Sequence, residues 1–115
     1  MMKTTLHKMK LQPKPFEAID NETKTVEMRL YDEKRQKIEI SDEIEFTNIE
    51  TQKTLKVVVT DLILFRNFEE LYKNFDKTEL GYSADEEASF KDMEQYYPKE
   101  EQAKYGVIAI KFQVI

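Results

Sequence analysis

Residues 24–29 read Lys-Thr-Val-Glu-Met-Arg and alternate with the two-residue period of a β-strand. In such a strand the side chains divide between two faces, with Lys24, Val26 and Met28 on one and Thr25, Glu27 and Arg29 on the other. Unpaired charge is costly to bury, so a strand that presents these charged side chains lines either solvent or a polar cleft. The stretch therefore predicts a strand, and it marks the place where a polar site is to be sought.

The composition describes a small folded protein. The chain has 115 residues, of which 40% are hydrophobic, and it includes seven Phe and six Tyr. This length predicts a single domain spanning residues 1–115, and the aromatic side chains supply a core. No apolar run approaches the ~20 residues of a membrane span, and residues 1–10 lack the apolar segment of a secretory signal. We therefore expect no membrane association and a cytoplasmic protein.

Several kinds of chemistry are disfavoured by what the sequence lacks. The chain contains no Cys, which excludes disulfides and thiolate nucleophiles, and its one histidine, His7, cannot build a multi-histidine metal site. No G-x-S-x-G motif is present, and two separated glycines cannot form a phosphate-binding loop. The sequence thus predicts neither a metal nor a cofactor.

Charge is distributed unevenly along the chain. The net charge of −5 argues against a general polyanion-binding protein. However, residues 3–14 contain four Lys, one His and no acid, whereas residues 76–101 are strongly acidic. The basic segment is interpreted either as a solvated edge or as a local patch for a nucleic acid.

The order of elements indicates an α+β fold. Strands are predicted over 6–11, 24–30, 42–46, 55–64 and 107–115, and helical segments over 15–19, 68–75, 89–97 and 102–105. The segment 55–64 is the most strand-prone, and its length suggests a central or strongly bent strand. This order predicts a small mixed β-barrel of about five or six strands flanked by short helices.

Several segments together resemble the ASCH domain family of the PUA-like superfamily. These are Leu11–Phe16, Ile19, Lys24–Arg29, Asp42–Phe46, Tyr96–Tyr97 and Lys104–Ile110. The resemblance implies a PUA-like barrel with a helix-flanked cleft for RNA or a modified nucleoside. Family members usually carry Gly in the turns where this chain has Glu22 and Ser41. We expect Asn21 to adopt the left-handed conformation in the first of these turns, because Asn tolerates it.

The resemblance also suggests two enzymatic functions. One branch of the family consists of acetylcytidine amidohydrolases, which use a Lys, a Thr three residues later and a Glu from the helical region. Lys24 matches the Lys, Glu27 stands at the Thr position, and Glu79 is the best match for the helical Glu. Another member is similar to a ribonuclease centred on the same Lys, for which Tyr96, Tyr105 and Ser83 are the residues to compare.

Three functions follow from these observations. In the first, RNA or a nucleotide binds in a charged cleft, where Lys24 and Arg29 meet phosphate or base edges and Glu27 accepts from a base amino group. Thr25, Tyr96 and Tyr105 complete the predicted ligand-binding set, and a Tyr stacks on the base. In the second, the protein is an amidohydrolase or ribonuclease with Lys24, Glu27 and Glu79 as catalytic residues. In the third, the acidic segment binds a basic protein.

Overall fold

The structure is a computed structural model that describes residues 4–115. Five strands are present in these residues: β1 Leu6–Leu11, β2 Val26–Leu30, β3 Glu43–Asn48, β4 Thr54–Phe65 and β5 Val107–Val114. Four short α-helices accompany them: α1 Pro13–Asp20, α2 Phe68–Tyr72, α3 Lys91–Glu94 and α4 Lys99–Tyr105. A 3₁₀ turn covers Arg35–Lys37. None of the helices within residues 4–115 has the length and apolar character needed to cross a membrane.

The strands form one mixed sheet in the order β1-β3-β4-β5-β2. The β1–β3 pair is parallel, and the other three pairs are antiparallel. The sheet curls into a half-barrel, with β1 and β2 at its two edges. The predicted α+β fold, a small mixed barrel flanked by short helices, is confirmed with five strands.

β4 is the long central strand that the sequence predicts. Its first part pairs with β3, and from Val57 onward it pairs with β5. The register with β5 shifts between Val59 and Asp61. Such an irregularity bends a strand and increases its twist, which allows one strand to pair in both halves of the curled sheet.

β5 separates two hydrophobic clusters. Ile108, Ile110 and Phe112 pack on one face with α1, β1 and β3, while Val107 and Ala109 pack on the other face with β2 and α2. This alternation matches the sequence pattern of residues 107–114. The second cluster contains the apolar face of β2, so the opposite face of β2 is left for polar side chains.

The helices differ from the predictions at their ends. Asn67 caps α2 as predicted, since its side chain accepts a 2.9 Å hydrogen bond from the Glu70 N–H. The helix predicted over 89–97 is wrong in length, because α3 covers only Lys91–Glu94. Pro98 disfavours helical conformation at the residue before it and instead caps α4.

Both turns in which family members usually carry glycine contain a residue at positive φ. Glu22 has φ of 64° and Ser41 has φ of 80°. The expectation that Asn21 would take the left-handed conformation is wrong, because Asn21 has φ of −90°. Asn21 instead caps the turn, and its side chain accepts hydrogen bonds from the backbone and hydroxyl of Thr23.

Replacing Ser41 with glycine should stabilise the protein by about 1 kcal/mol, because a non-glycine residue at positive φ carries a conformational strain of that order. The Ser41 N–H donates to the Val59 carbonyl, a bond that glycine retains. Urea unfolding measures the change, with Ser83→Gly in an exposed loop as the control. A destabilised Ser41→Gly protein would contradict the expectation.

Candidate functional site

A cleft of about 790 Å³ lies where the two edge strands of the sheet approach each other. Its inner part is formed by β2 and the residues before it, and one wall by the end of β1 and the start of α1. The facing wall comes from the helical region and carries Tyr72, Tyr82, Met93, Tyr96 and Tyr97. The cleft thus combines a charged inner end with an aromatic wall.

Lys24 is fully enclosed at the inner end. Its Nζ donates to the carbonyl oxygens of Val26 at 2.8 Å and Leu80 at 2.9 Å, and it lies 3.3 Å from Glu27 Oε1. Burial lowers the pKa of Lys24, while the adjacent Glu27 carboxylate opposes that shift. The three acceptors match the three N–H bonds of an ammonium group.

Glu27 is buried between two cations. Oε1 accepts from the Met28 N–H at 3.1 Å, and Oε2 accepts from Arg29 Nε at 3.2 Å and Nη2 at 2.9 Å. Burial would raise the pKa of Glu27, but the charges of Lys24 and Arg29 outweigh it and lower that pKa to about 2. Glu27 is therefore ionised at neutral pH.

Arg29 connects the two edges of the sheet. Its Nη2 also donates to the Lys10 carbonyl of β1 at 3.1 Å. Burial lowers the pKa of Arg29, but Glu27 and the nearby Tyr97 hydroxyl more than offset this effect, so the pKa is raised. The guanidinium is a permanent cation whose position is fixed by both strands.

The sequence prediction placed Lys24 on the same face as Val26 and Met28, and this is wrong. β2 begins only at Val26, because the N–H groups of Thr25 and Val26 both donate to the Glu79 carbonyl. Lys24 precedes the strand, so strand alternation does not apply to it, and its side chain reaches Glu27. Val26 and Met28 are buried in the core.

The remaining predicted site residues are distributed over the molecule. Tyr96 lines the cleft and its side chain is exposed. Thr25 is half-buried outside the cleft lining, and Glu79 contributes its backbone carbonyl to the start of β2. Tyr105 lies in a separate cavity of about 830 Å³ beside Arg66. The structure therefore brings together Lys24, Glu27, Arg29 and Tyr96.

A tyrosine pair in the cleft wall was not predicted. The hydroxyls of Tyr72 and Tyr82 are 2.9 Å apart, and the Tyr82 hydroxyl donates to Asp92 Oδ2 at 2.7 Å. Burial raises the pKa of Tyr72 to about 12, so it is protonated at neutral pH. The sequence gives little signal for this pair, because Tyr82 lies in an irregular segment without periodicity.

Gly81 is a second residue that the sequence analysis missed. A Cβ atom at this position would lie 3.0 Å from Lys24 Cδ, and φ is +105°. The glycine thus allows the Lys24 side chain to pass beneath the loop and reach the Leu80 carbonyl. An isolated glycine in an acidic segment is the only sequence signal for this role.

The family model described as the ASCH domain matches residues 9–115. The chain belongs to the ASCH domain family. Members of this family are PUA-like and have been proposed to bind RNA. No curated protein matched the chain.

Solved structures agree with the ASCH fold. The crystal structure of the hypothetical protein PH0355 has a TM-score of 0.81 at 32% identity, covering 96% of this chain and 100% of that one. The protein PF0455 from Pyrococcus furiosus has a TM-score of 0.74 at 30% identity, covering 96% and 98%. ASCH from Zymomonas mobilis has a TM-score of 0.68 at 16% identity, covering 96% and 71%, and this similarity concerns the fold alone.

Proposed function

We propose that this ASCH domain protein binds single-stranded RNA or a nucleotide in the cleft between β1 and β2. The observation that carries the proposal is a fixed guanidinium, Arg29, at the inner end of a cleft whose facing wall is aromatic. Cations that meet phosphate and rings that stack on bases are the two features shared by proteins that bind single strands. The family membership supports the same function.

The size of the cleft and the position of Tyr96 suit a nucleotide. A volume of about 790 Å³ falls within the ~300–1,000 Å³ typical of small-molecule sites. Tyr96 is 58% exposed although it is a large aromatic residue, and it lies beside Met93. An exposed aromatic ring at the wall of a cleft offers a face on which a base can stack.

Basic residues at the cleft wall extend the surface available to a strand. Lys10 and Lys14 line the cleft on the β1 side, and both belong to the basic segment of residues 3–14. Lys14 forms an ion pair with Glu86 across the cleft. Since surface ion pairs are weak, a phosphate group can replace the Glu86 carboxylate as the partner of Lys14.

Replacing Tyr96 with alanine should weaken binding of a labelled single-stranded RNA about 5- to 150-fold, because base stacking is worth about 1–3 kcal/mol. Fluorescence anisotropy measures the dissociation constant. Because Tyr96 is exposed, thermal unfolding should be unchanged. Arg66→Gln serves as a control, since Arg66 is exposed and borders the separate cavity.

Two results would contradict the proposal. One is a wild-type protein that shows no salt-sensitive binding of RNA oligomers or nucleotides up to high micromolar concentrations. The other is a Tyr96→Ala protein that binds as tightly as wild type. The same preparation is to be incubated with acetylcytidine and with labelled RNA, and turnover lost in Lys24→Ala would establish the amidohydrolase or ribonuclease alternative instead.

A further inference from the structure

The charged cluster of Lys24, Glu27 and Arg29 takes the place of a strand partner along the open edge of β2. The residues of β2 with odd numbers direct their backbone groups toward β5, as shown by the flanking bonds from Tyr31 N to Gly106 O and from Phe112 N to Thr25 O. Val26 and Met28 therefore direct their backbone groups toward the cleft. This edge would be left unpaired without other partners.

Side chains of the cluster satisfy these edge groups. Lys24 donates to the Val26 carbonyl, and Glu27 accepts from the Met28 N–H. Arg29 donates to the Lys10 carbonyl of β1, the other edge strand. The backbone groups of Val26 and Met28 are buried and need such partners, so Lys24 and Glu27 stabilise the edge of β2 before any ligand is present, whereas the bond of Arg29 to Lys10 is exposed.

The hydrogen bonds already made show which of the three side chains can still bind a ligand group. The three N–H bonds of the Lys24 ammonium face three acceptors within 3.3 Å. Each Glu27 oxygen has two donors around it, and a carboxylate accepts about four bonds. Within residues 4–115 the hydrogen bonds of Arg29 use Nε and Nη2, which leaves the two N–H bonds of Nη1 available in the cleft that Tyr97 also lines.

We infer that Arg29 alone of the three contacts the ligand, that it binds a phosphate group through Nη1, and that Lys24 and Glu27 are positioning residues. This inference rests on the proposed function and assigns the roles within that site. It differs from the expectation that the Lys24 amine reacts with or directly binds the ligand.

Charge balance favours phosphate as the target. Lys24 and Arg29 carry two positive charges, and Glu27 supplies one negative charge against them. The cluster therefore has an unbalanced positive charge in a partly desolvated position, and an anionic ligand group compensates it. A carbonyl of a base would accept the same hydrogen bonds but would leave the excess charge in place.

Tyr97 lines the same cleft as Arg29 and is held in position by buried residues. Its ring stacks on Phe68 with centroids 5.7 Å apart, and its backbone carbonyl accepts a 2.8 Å hydrogen bond from Gln102 Nε2. Phe68 and Gln102 are both buried. Tyr97 lies between α3 and α4, and these contacts with buried residues hold its ring in place.

The salt dependence of binding distinguishes a phosphate contact from a positioning role. Each phosphate contact to a single strand contributes about 0.7 to the slope of log K against log salt concentration. Arg29→Gln should lower the slope by about this amount for a labelled single-stranded RNA. The double variant Lys24→Met with Glu27→Gln keeps the single excess positive charge on Arg29, so it should weaken binding without changing the slope, and Arg66→Gln should change neither quantity. An equal loss of slope in the double variant would overturn the inference.

A second measurement uses the wild-type protein and needs no RNA. Nitrogen-15 NMR should show a slowly exchanging side-chain ammonium resonance for Lys24 and, on titration with inorganic phosphate, a shift of the Arg29 guanidinium resonances with Lys24 unmoved. If phosphate shifts the Arg29 resonances but the wild-type protein binds no RNA or nucleotide, the proposed function fails and the inference on anion binding stands. If phosphate does not shift the Arg29 resonances, or if adenosine binds as tightly as adenosine monophosphate, the inference is overturned.

Discussion

Replacing Glu27 with glutamine should lower the free energy of unfolding at pH 7 by about 3 kcal/mol. The change keeps the size of the side chain but removes the one negative charge that lies between Lys24 and Arg29. Removing one member of a buried ion pair leaves an uncompensated charge, which typically costs about 3–5 kcal/mol. Urea unfolding at neutral pH measures the difference from wild type.

The destabilisation should depend on pH in a definite direction. The pKa of Glu27 in the folded protein is about 2, below its ordinary value of 4.5. A carboxyl group with a lowered folded pKa contributes stability above its unfolded pKa and loses it as pH falls toward the folded value. The difference between wild type and Glu27→Gln should therefore be full above pH ~5 and approach zero near pH ~2, a change of about 3 kcal/mol.

Glu70→Gln is the matched control for this experiment. Glu70 also pairs with an arginine, Arg66, but the pair lies on the surface, where solvent screens the two charges. We expect little change in stability for this variant. A Glu27→Gln protein as stable as wild type at pH 7, or a difference that does not vary with pH, would contradict the assigned ionisation of Glu27.

The sequence identified the fold because most of its segments agree with the local rules of strands and helix caps. Residues 107–114 alternate between two apolar faces, and both faces are buried in the structure. Asn67 precedes a helical pattern with acidic residues in the first turn, and it caps α2. These features depend on neighbouring residues alone, so a pattern along the chain is sufficient to find them.

The site was found only in part because its geometry depends on residues distant in sequence. Lys24 reaches the carbonyl of Leu80, and Arg29 reaches the carbonyl of Lys10. Strand periodicity predicted the wrong face for Lys24, since the Glu79 carbonyl sets where β2 begins. Glu22 and Ser41 likewise adopt positive φ, a conformation that non-glycine residues disfavour, because their turns require it. Such features become visible only when the contacts across the fold are known.

Replacing Gly81 with alanine should destabilise the protein by roughly 3 kcal/mol or more, through two separate effects. An alanine at φ of +105° is strained by about 1–3 kcal/mol. Its Cβ would also lie 3.0 Å from Lys24 Cδ, so the lysine would have to shift and stretch its bonds to Leu80 and Glu27. Thermal and urea unfolding measure the total loss.

A double-mutant cycle with Lys24→Ala separates the two effects of Gly81→Ala. Removing the lysine side chain removes the contact but leaves the backbone strain at position 81, so the second alanine should cost less in that background. We expect an interaction of about 0.5–3 kcal/mol between the two positions, the range found for residues in contact. Strictly additive losses would show that Lys24 and Gly81 are independent. In that case the loop that carries the Leu80 carbonyl would not be fitted around the buried lysine, and the amine could leave its three acceptors to meet a ligand.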